Sequence, residues 1–341
     1  MSYSAIDYFK GLGTEDSPFL IEKESDLIYL SDNFFYFDEN CYFKQVNHLD
    51  FERVQFPPIG SCDSPFEGNY DGNGKLISNL VIKPDSSIYC GLFGAINKAK
   101  ICNVIIKDID LYSDNRSGGI AGKADESIIL NCYVSGALNS YDAIGGIIGY
   151  ASDCLIKNCY FIGNVESRYG YTAGIVGSCM GKSDVINCCI EGSMITSKSG
   201  YPAAGICGSS TGNILNCYID ACINGNSNPA AGIVGYHLDP YKIIENCFIS
   251  GYVKSKDKCD ELIASLEEKY VSDYTVRNCY ICNYFDLKGK KQNVHNFQST
   301  IINLSSLDRS SYEGLGWNFE EDWDWISKHP YPKIVTLFNS L

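Results

Sequence analysis

The sequence predicts an all-β chain wound as a single-stranded right-handed parallel β-helix with a cap at each end, and three observations carry that prediction. A GxxG block recurs as GLFG at Gly91, GIAG at Gly119, GIIG at Gly146, GIVG at Gly174, GICG at Gly205 and GIVG at Gly232, with starts 28, 27, 28, 31 and 27 residues apart. An Asn-Cys-aromatic triplet follows at a similar interval: NCY at Asn131 and Asn158, NCC at Asn187, NCY at Asn216, NCF at Asn246 and NCY at Asn278. Between the blocks the chain is short-period, β-rich and broken by Gly, Asn and Ser, with no helical run. A repeat of this length holds one coil of a solenoid, whereas a propeller blade needs about four strands in roughly 40 or more residues. The expected division is a capping segment over 1–50, coils over 51–285 and a second cap over 286–341. About nine coils at roughly 4.8 Å each give a rod of about 40–45 Å.

The elements follow in order. Ser25 ahead of Asp26-Leu-Ile-Tyr-Leu30 predicts an N-capped short helix with Leu27, Ile28 and Leu30 on its apolar side. Such a helix suits the first coil, whose open core and unpaired strand edge need covering. Asp71-Gly72 and Asn73-Gly74 accept positive φ and mark turns between short strands. The stretch DGNGK imitates a calcium loop and a phosphate loop but fits neither, because Lys75 stands in place of an oxygen ligand and Leu76 in place of the Ser/Thr.

Within each coil, period-two alternation places Cys132, Cys159, Cys188, Cys217, Cys247 and Cys279 inward, together with Val134, Phe161, Ile190, Ile219, Ile249 and Ile281 two residues later. The preceding Asn takes the corner, where left-handed backbone is tolerated and side-chain amides can stack from coil to coil. The glycines of GxxG permit close backbone approach, with Ile147, Ile175 and Ile233 filling the core. CDELIASLEEKY, Cys259 to Tyr270, is either a helix or a worn GxxG coil, and the worn coil is preferred. The tail, with WNFEEDWDW from Trp317 to Trp325, is expected to cap the last coil with its aromatic residues and to end in a short strand.

The 17 cysteines of the 341-residue chain do not make a disulfide framework. Residues of one column in neighbouring coils lie about 4.8 Å apart, whereas a good disulfide wants Cβ atoms about 3.5–4.5 Å apart with a twisted dihedral. The inward column is therefore expected to be a ladder of free, buried thiols, suited to assembly in a reducing or anoxic setting. Cys279 and Cys282 form a lone CxxC, so zinc is not expected, and no cofactor is implied.

The net charge of −14, from 27 Lys+Arg against 41 Asp+Glu, argues against a nucleic-acid partner. No apolar run approaches membrane-spanning length, so membrane insertion is not expected. Neither a signal start nor a sorting tail is seen.

These residues resemble a family. The GLFG and GIVG blocks are similar to the GLUG-motif repeats of bacterial surface proteins, also found beside the protease unit of IgA proteases. GTEDSPFLIEKESDLIYL, PFEGNYDGNGKLISNLVI and WNFEEDWDWISKHPYPKI resemble that family's first segment, first coils and terminal segment. The resemblance implies a parallel β-helix in an adhesive or surface-exposed protein. Its metalloprotease members carry HExxH; none of His48, His237, His295 or His329 begins one, so proteolysis does not carry over.

Three groups are candidate sites. The outward column Tyr133, Tyr160, Tyr218, Phe248 and Tyr280 could stack sugar rings, or could form an aromatic ladder that stabilises the sheet or lies under loops. Asp108 and Asp110, alternate residues of one strand, would stand roughly 6.5–7 Å apart with Arg116 nearby, a spacing open to an inverting glycosidase pair or to a solvated polar face. The loops before each GxxG are rich in Tyr, Ser, Gly and Asn, the composition of adaptable recognition loops and of ordinary turns alike; there Tyr141, Arg168, Tyr169, Tyr171 and Tyr201 are the candidates. The preferred function is a non-enzymatic structural or adhesive module at a cell surface or on a virion, binding a glycan or a cell-surface protein, with a homotrimer as one possible state. A polysaccharide lyase or hydrolase and a purely structural virion protein are the alternatives.

Overall fold

In the computed structural model, residues 8–84, 89–239, 241–266, 275–282, 286–291, 300–302, 308–314, 317–320, 323–326 and 329–332 are described. The chain is a parallel β-solenoid, and three sheets run its length. The first is 10-stranded, one short strand per coil, from Phe19–Ile21 to Thr275–Arg277, each paired in parallel with the next. The second is 17-stranded and carries the long strands Tyr133–Ser140, Tyr160–Ser167, Cys189–Ser197, Tyr218–Asn226 and Phe248–Asp260. The third is 7-stranded, from Phe93–Asn97 to Ile263–Leu266. Ten rungs in the first sheet correspond to nine full turns.

The repeat blocks do what their chemistry allows. Asn131, Asn158, Asn187, Asn216, Asn246 and Asn278 sit at the corner between the first and second sheets with φ of 51–57°, a region that Asn tolerates better than other side chains. Their amides form a continuous ladder: Asn131 Nδ2 donates to Asn103 Oδ1 at 3.1 Å, and Asn158 to Asn131, Asn187 to Asn158, Asn216 to Asn187 and Asn246 to Asn216 at 3.0–3.2 Å. Such bonds satisfy polar groups that burial would otherwise strand.

The cysteine one residue on points into the core, and every cysteine whose side chain is described is a free thiol. In the inward column each Sγ–H lies 3.3–3.6 Å from the carbonyl two residues before it, from Cys132 to Cys279. Burial pushes the thiols of Cys188 and Cys247 well above their ordinary range, which keeps them protonated and unreactive.

The GxxG and NC blocks are also coupled within a coil. A Cβ on Gly146 would stand 2.4 Å from Cγ of Phe161, and one on Gly174 2.7 Å from Cγ2 of Ile190. The first glycine of the five GxxG blocks from Gly119 to Gly232 thus clears room for the apolar residue two positions after the cysteine, whereas a Cβ on Gly91 would meet only backbone.

The caps depart from expectation in detail. Helix α1, Glu24–Asn33, begins one residue before Ser25, with Lys23 at its N-cap position. Asp26 supplies the acceptor instead, its carboxylate taking the backbone N–H of Glu22 at 2.9 Å and of Lys23 at 3.2 Å. Leu27 and Leu30 bury against the first coils. Parallel pairing starts at Phe19–Ile21, ahead of the expected boundary at 51, and Asp286–Lys291 and Thr300–Ile302 still add rungs beyond 285. Ile263–Leu266 pairs in parallel with Val234–His237, so the disputed stretch is a worn coil up to Leu266; residues 267–270 lie outside the described residues.

The C-terminal segment does not simply close the last coil. Helix α2, Arg309–Glu313, and the hairpin strands Trp323–Ile326 and His329–Pro332 belong to it. Its Tyr312 ring lies 4.5 Å from that of Phe248, with Trp317 edge-on to Phe248 at 5.4 Å and Trp323 4.3 Å from Trp317. Phe248 stands one coil before Tyr280 and two before Thr300, so the tail doubles back along the flank of the solenoid. Residues 333–341, with the end of the expected terminal strand, lie outside the described residues.

Candidate functional site

Burial removes the first candidate. Tyr133, Tyr160, Tyr218 and Phe248 point away from the coil interior, as alternation requires, but are only 5, 4, 4 and 1% exposed, and Tyr280 is half-buried. They form a second apolar cluster with Ile105, Cys189, Tyr312, Trp317, Phe319 and Trp323. The Tyr160 hydroxyl donates to Glu191 Oε2 at 2.7 Å, and desolvation raises the Tyr160 and Tyr218 phenols above their ordinary range. A sugar-stacking strip needs open ring faces, and Tyr133, Tyr160, Tyr218 and Phe248 have none. It is the stabilising ladder lying under other chain.

The acidic candidate is also not assembled. Asp108 has φ 59° and sits in a β-bulge, where Lys107 and Asp108 together face Ser135 between the pairs Ile106–Val134 and Ile109–Gly136. The extra residue and its left-handed φ interrupt the regular strand that a spacing of roughly 6.5–7 Å assumes, although both carboxylates still lie on either side of the buried Ile109. The Asp110 carboxylate is held by Lys83 Nζ at 2.6 Å. Arg116 lies past the end of that strand, 3.6 Å from the Asp142 carboxylate and with its guanidinium 4.6 Å from the Tyr150 ring centre. Among the described residues no group of three or more His, Cys, Asp or Glu is placed to hold a metal ion.

The turn residues do come together. Where the long strands of the second sheet end, the ladder continues into the turns: Tyr141 N–H donates to Ser113 O at 2.9 Å, Arg168 to Ser140 O at 3.0 Å, Tyr169 to Tyr141 O at 2.8 Å and Lys198 to Ser167 O at 2.9 Å. Consecutive turns are thereby held in register, and their side chains stack. The Tyr141 and Tyr169 rings are 4.9 Å apart, and the Arg168 guanidinium lies 5.6 and 5.7 Å from their centres, within range of cation–π attraction. Tyr141 and Tyr169 remain 45 and 42% exposed. Tyr141 and Arg168, with Tyr112, Asn139, Ser140, Glu166 and Lys198, line an open groove of about 360 Å³, and Tyr169 stacks on Tyr141 outside that lining. Lys198 is ion-paired with Glu166 across one rung. Tyr171 and Tyr201 make a separate pair, 4.7 Å between rings, outside that lining.

The sequence reading missed five of the seven groove residues, Tyr112, Asn139, Ser140, Glu166 and Lys198. The register Tyr112–Asn139–Glu166 makes those three one outward column, legible only once the strands are aligned. It also missed what holds the turns. Buried serines alternate with that column: Ser140 Oγ donates to Asn115 O at 2.5 Å, Ser167 Oγ to Asp142 O at 3.0 Å, and Gly170 N–H donates back to Ser167 Oγ at 2.7 Å. A serine one or two residues before each exposed turn tyrosine, Ser140 before Tyr141 and Ser167 before Tyr169, was the available signal. These bonds hold the exposed tyrosines on a backbone that is already ordered, which lowers the entropic cost of binding.

Comparison with known proteins agrees with this architecture. The profile of the GLUG motif matches residues 140–166, the coil that carries Tyr141 and Glu166. A curated relative from Evansella cellulosilytica, named a Gly-rich membrane protein on provisional grounds, is 31% identical over 110 residues, 30% of this chain and 12% of its own length. Halomucin of Haloquadratum walsbyi is 26% identical over 147 residues, 40% of this chain and 2% of its own length. The chain therefore spans only a small part of the curated relatives it matches. Among solved structures, a candidate immunoglobulin A1 protease from Bacteroides ovatus superposes with TM-score 0.67 and 20% identity over 95% of this chain and 94% of that one. A structure of IgA1 protease superposes with TM-score 0.59 and 14% identity over 79% of this chain and 23% of that one. No described helix is long and apolar enough to cross a membrane. The GLUG motif is thus matched in one coil, its spacing recurs in the others, and the solenoid fold is shared along almost the whole length of the chain.

Proposed function

We propose that this chain is a non-enzymatic binding module of a surface-exposed protein, and that the groove between Tyr112 and Lys198 takes a saccharide. The observation that carries this reading is the stacked pair of exposed rings of Tyr141 and Tyr169 with Arg168 beside both, on turns fixed by the coil-to-coil ladder. Flat apolar faces with polar edges suit the C–H faces of sugar rings, and Asn139, Glu166, Arg168 and Lys198 supply donors and acceptors for hydroxyls around them. The surface setting is supported by the names of the curated relatives, a Gly-rich membrane protein and halomucin. The non-enzymatic reading is supported by the dispersal of Asp108, Asp110 and Arg116 to three different surroundings.

The test is a glycan array followed by titration of the best hit with the wild type and with Tyr141→Ala/Tyr169→Ala. The double variant is expected to weaken binding by about tenfold or more, while Tyr160→Phe leaves it unchanged. Equal affinity in wild type and double variant would remove the groove as the binding site.

A further inference from the structure

The groove opens onto a longer column. Register pairs the outward residues Tyr112, Asn139, Glu166, Thr196, Asn224, Lys254 and Lys288 in unbroken succession. Their strand neighbours Leu111, Leu138, Val165, Ile195, Ile223 and Val253 are buried in the coil core, so the column faces away from it along its whole length. The six steps between these seven rungs, at about 4.8 Å each, make roughly 29 Å.

The charge along this column is uneven. At its far end the strands Phe248–Asp260 and Asp286–Lys291 are adjacent and parallel, and between them hold six lysines against three aspartates. Lys254 is registered directly on Lys288, and Lys258 on Lys290; the side chains of Lys254, Lys256, Lys258 and Lys288 are exposed. Like charges set directly opposite destabilise a sheet. This chain places them so although its net charge is −14 and carboxylates outnumber cations. At the near end, Arg168 has Tyr141 and Tyr169 as its neighbours and no carboxylate partner among the described residues. Between the ends Thr196 and Asn224 carry no charge, and Glu166 is neutralised by Lys198.

We propose that this column is a track for an extended acidic polysaccharide, seated in the groove lined by Tyr112, Tyr141 and Arg168 and reaching the lysines at 254 and 288. The proposal rests on the saccharide reading of the groove and adds the charge class and the direction of the chain. The rung spacing is close to the length of one sugar residue in an extended chain, so successive sugars meet successive coils. Carboxylate or sulfate groups answer the lysine end and Arg168, while the neutral middle rungs offer a hydroxyl and an amide to sugar hydroxyls. A nucleic acid fits this distribution less well, because its densely spaced phosphates would cross Glu166 and two uncharged rungs.

The experiment measures binding of polygalacturonate fragments of defined length, a sulfated glycosaminoglycan, neutral dextran and poly-dT at low and high salt. Wild type is compared with Lys254→Glu/Lys288→Glu and with Tyr141→Ala/Tyr169→Ala, each checked for folding by its thermal melt. Fragments long enough to span the column are expected to bind about tenfold tighter than short ones. That gain should vanish in Lys254→Glu/Lys288→Glu and at high salt, with the affinity for short fragments kept. The carboxylated and sulfated arms then identify which acidic group is read. Affinity independent of length in a protein that still binds short fragments overturns the track and leaves the groove reading standing. Unchanged short-fragment binding in Tyr141→Ala/Tyr169→Ala overturns the groove reading itself. Dextran bound as tightly as the charged polymers, or poly-dT bound more tightly, overturns the ligand class.

Discussion

Two sets of tyrosines stand on the outside of the same sheet and have opposite fates. Tyr133, Tyr160 and Tyr218, one residue past the inward cysteines, are nearly inaccessible, and their column runs on through Phe248 to Tyr312 and Trp317. Tyr112, Tyr141 and Tyr169, at the far ends of the same strands, stay 57, 45 and 42% exposed. Both sets obey the same alternation and both stack from coil to coil, at 5.3 Å for Tyr133–Tyr160 and 4.9 Å for Tyr141–Tyr169. Strand geometry decides only that a ring leaves the coil interior. Whether that ring then serves stability or recognition is decided by what else in the chain reaches it.

Three outcomes break or sharpen this contrast. The largest is expected on the covered side. Trp323 and Trp317 are 0 and 2% exposed and pack on each other beside Phe248, so Trp323→Ala should cost about 3–5 kcal/mol in chemical denaturation and increase binding of a hydrophobic dye as the Phe248 flank opens. A loss below 1 kcal/mol would mean that the C-terminal segment is not what covers the column. Among the described residues neither indole N–H has an acceptor, so Trp323→Phe should cost less than Trp323→Ala.

A smaller effect is expected in alkali. Burial raises the phenols of Tyr133, Tyr160 and Tyr218 above their ordinary value near 10. The unfolded chain ionises there first and the folded chain resists. Stability from these groups is therefore complete below about pH 10 and declines as pH rises beyond it. Phenolate absorbance followed with circular dichroism should show these rings ionising only as the fold is lost. Their titration in a still-folded protein would contradict their burial.

The smallest effect is expected on the open side. Tyr141→Ala/Tyr169→Ala removes exposed rings whose turns are held by backbone and serine hydrogen bonds, so each substitution should change stability by less than about 0.5 kcal/mol in the same denaturation assay. A larger loss would make these tyrosines structural, and the contrast would collapse.

The sequence by itself determined the coil. Asn at each corner, Cys inward beneath it, an apolar residue two further on and glycines where that residue must fit are local consequences of left-handed φ, period-two alternation and close approach, and each is visible within one repeat. It also contained the candidate turn residues Tyr141, Arg168 and Tyr169, though not their partners Tyr112, Asn139, Glu166 and Lys198. Tertiary structure decided the rest, because it depends on segments far apart in the chain. A bulge at Asp108 interrupted the regular strand on which its expected spacing to Asp110 rests. The tail from Tyr312 to Trp323 folded back two coils to cover Phe248. Register across six rungs placed Lys254 and Lys288 on the same outward column as Tyr112. Alternation is a property of neighbouring residues and can be read from the chain. Exposure is a property of the whole surface, and no single repeat contains it.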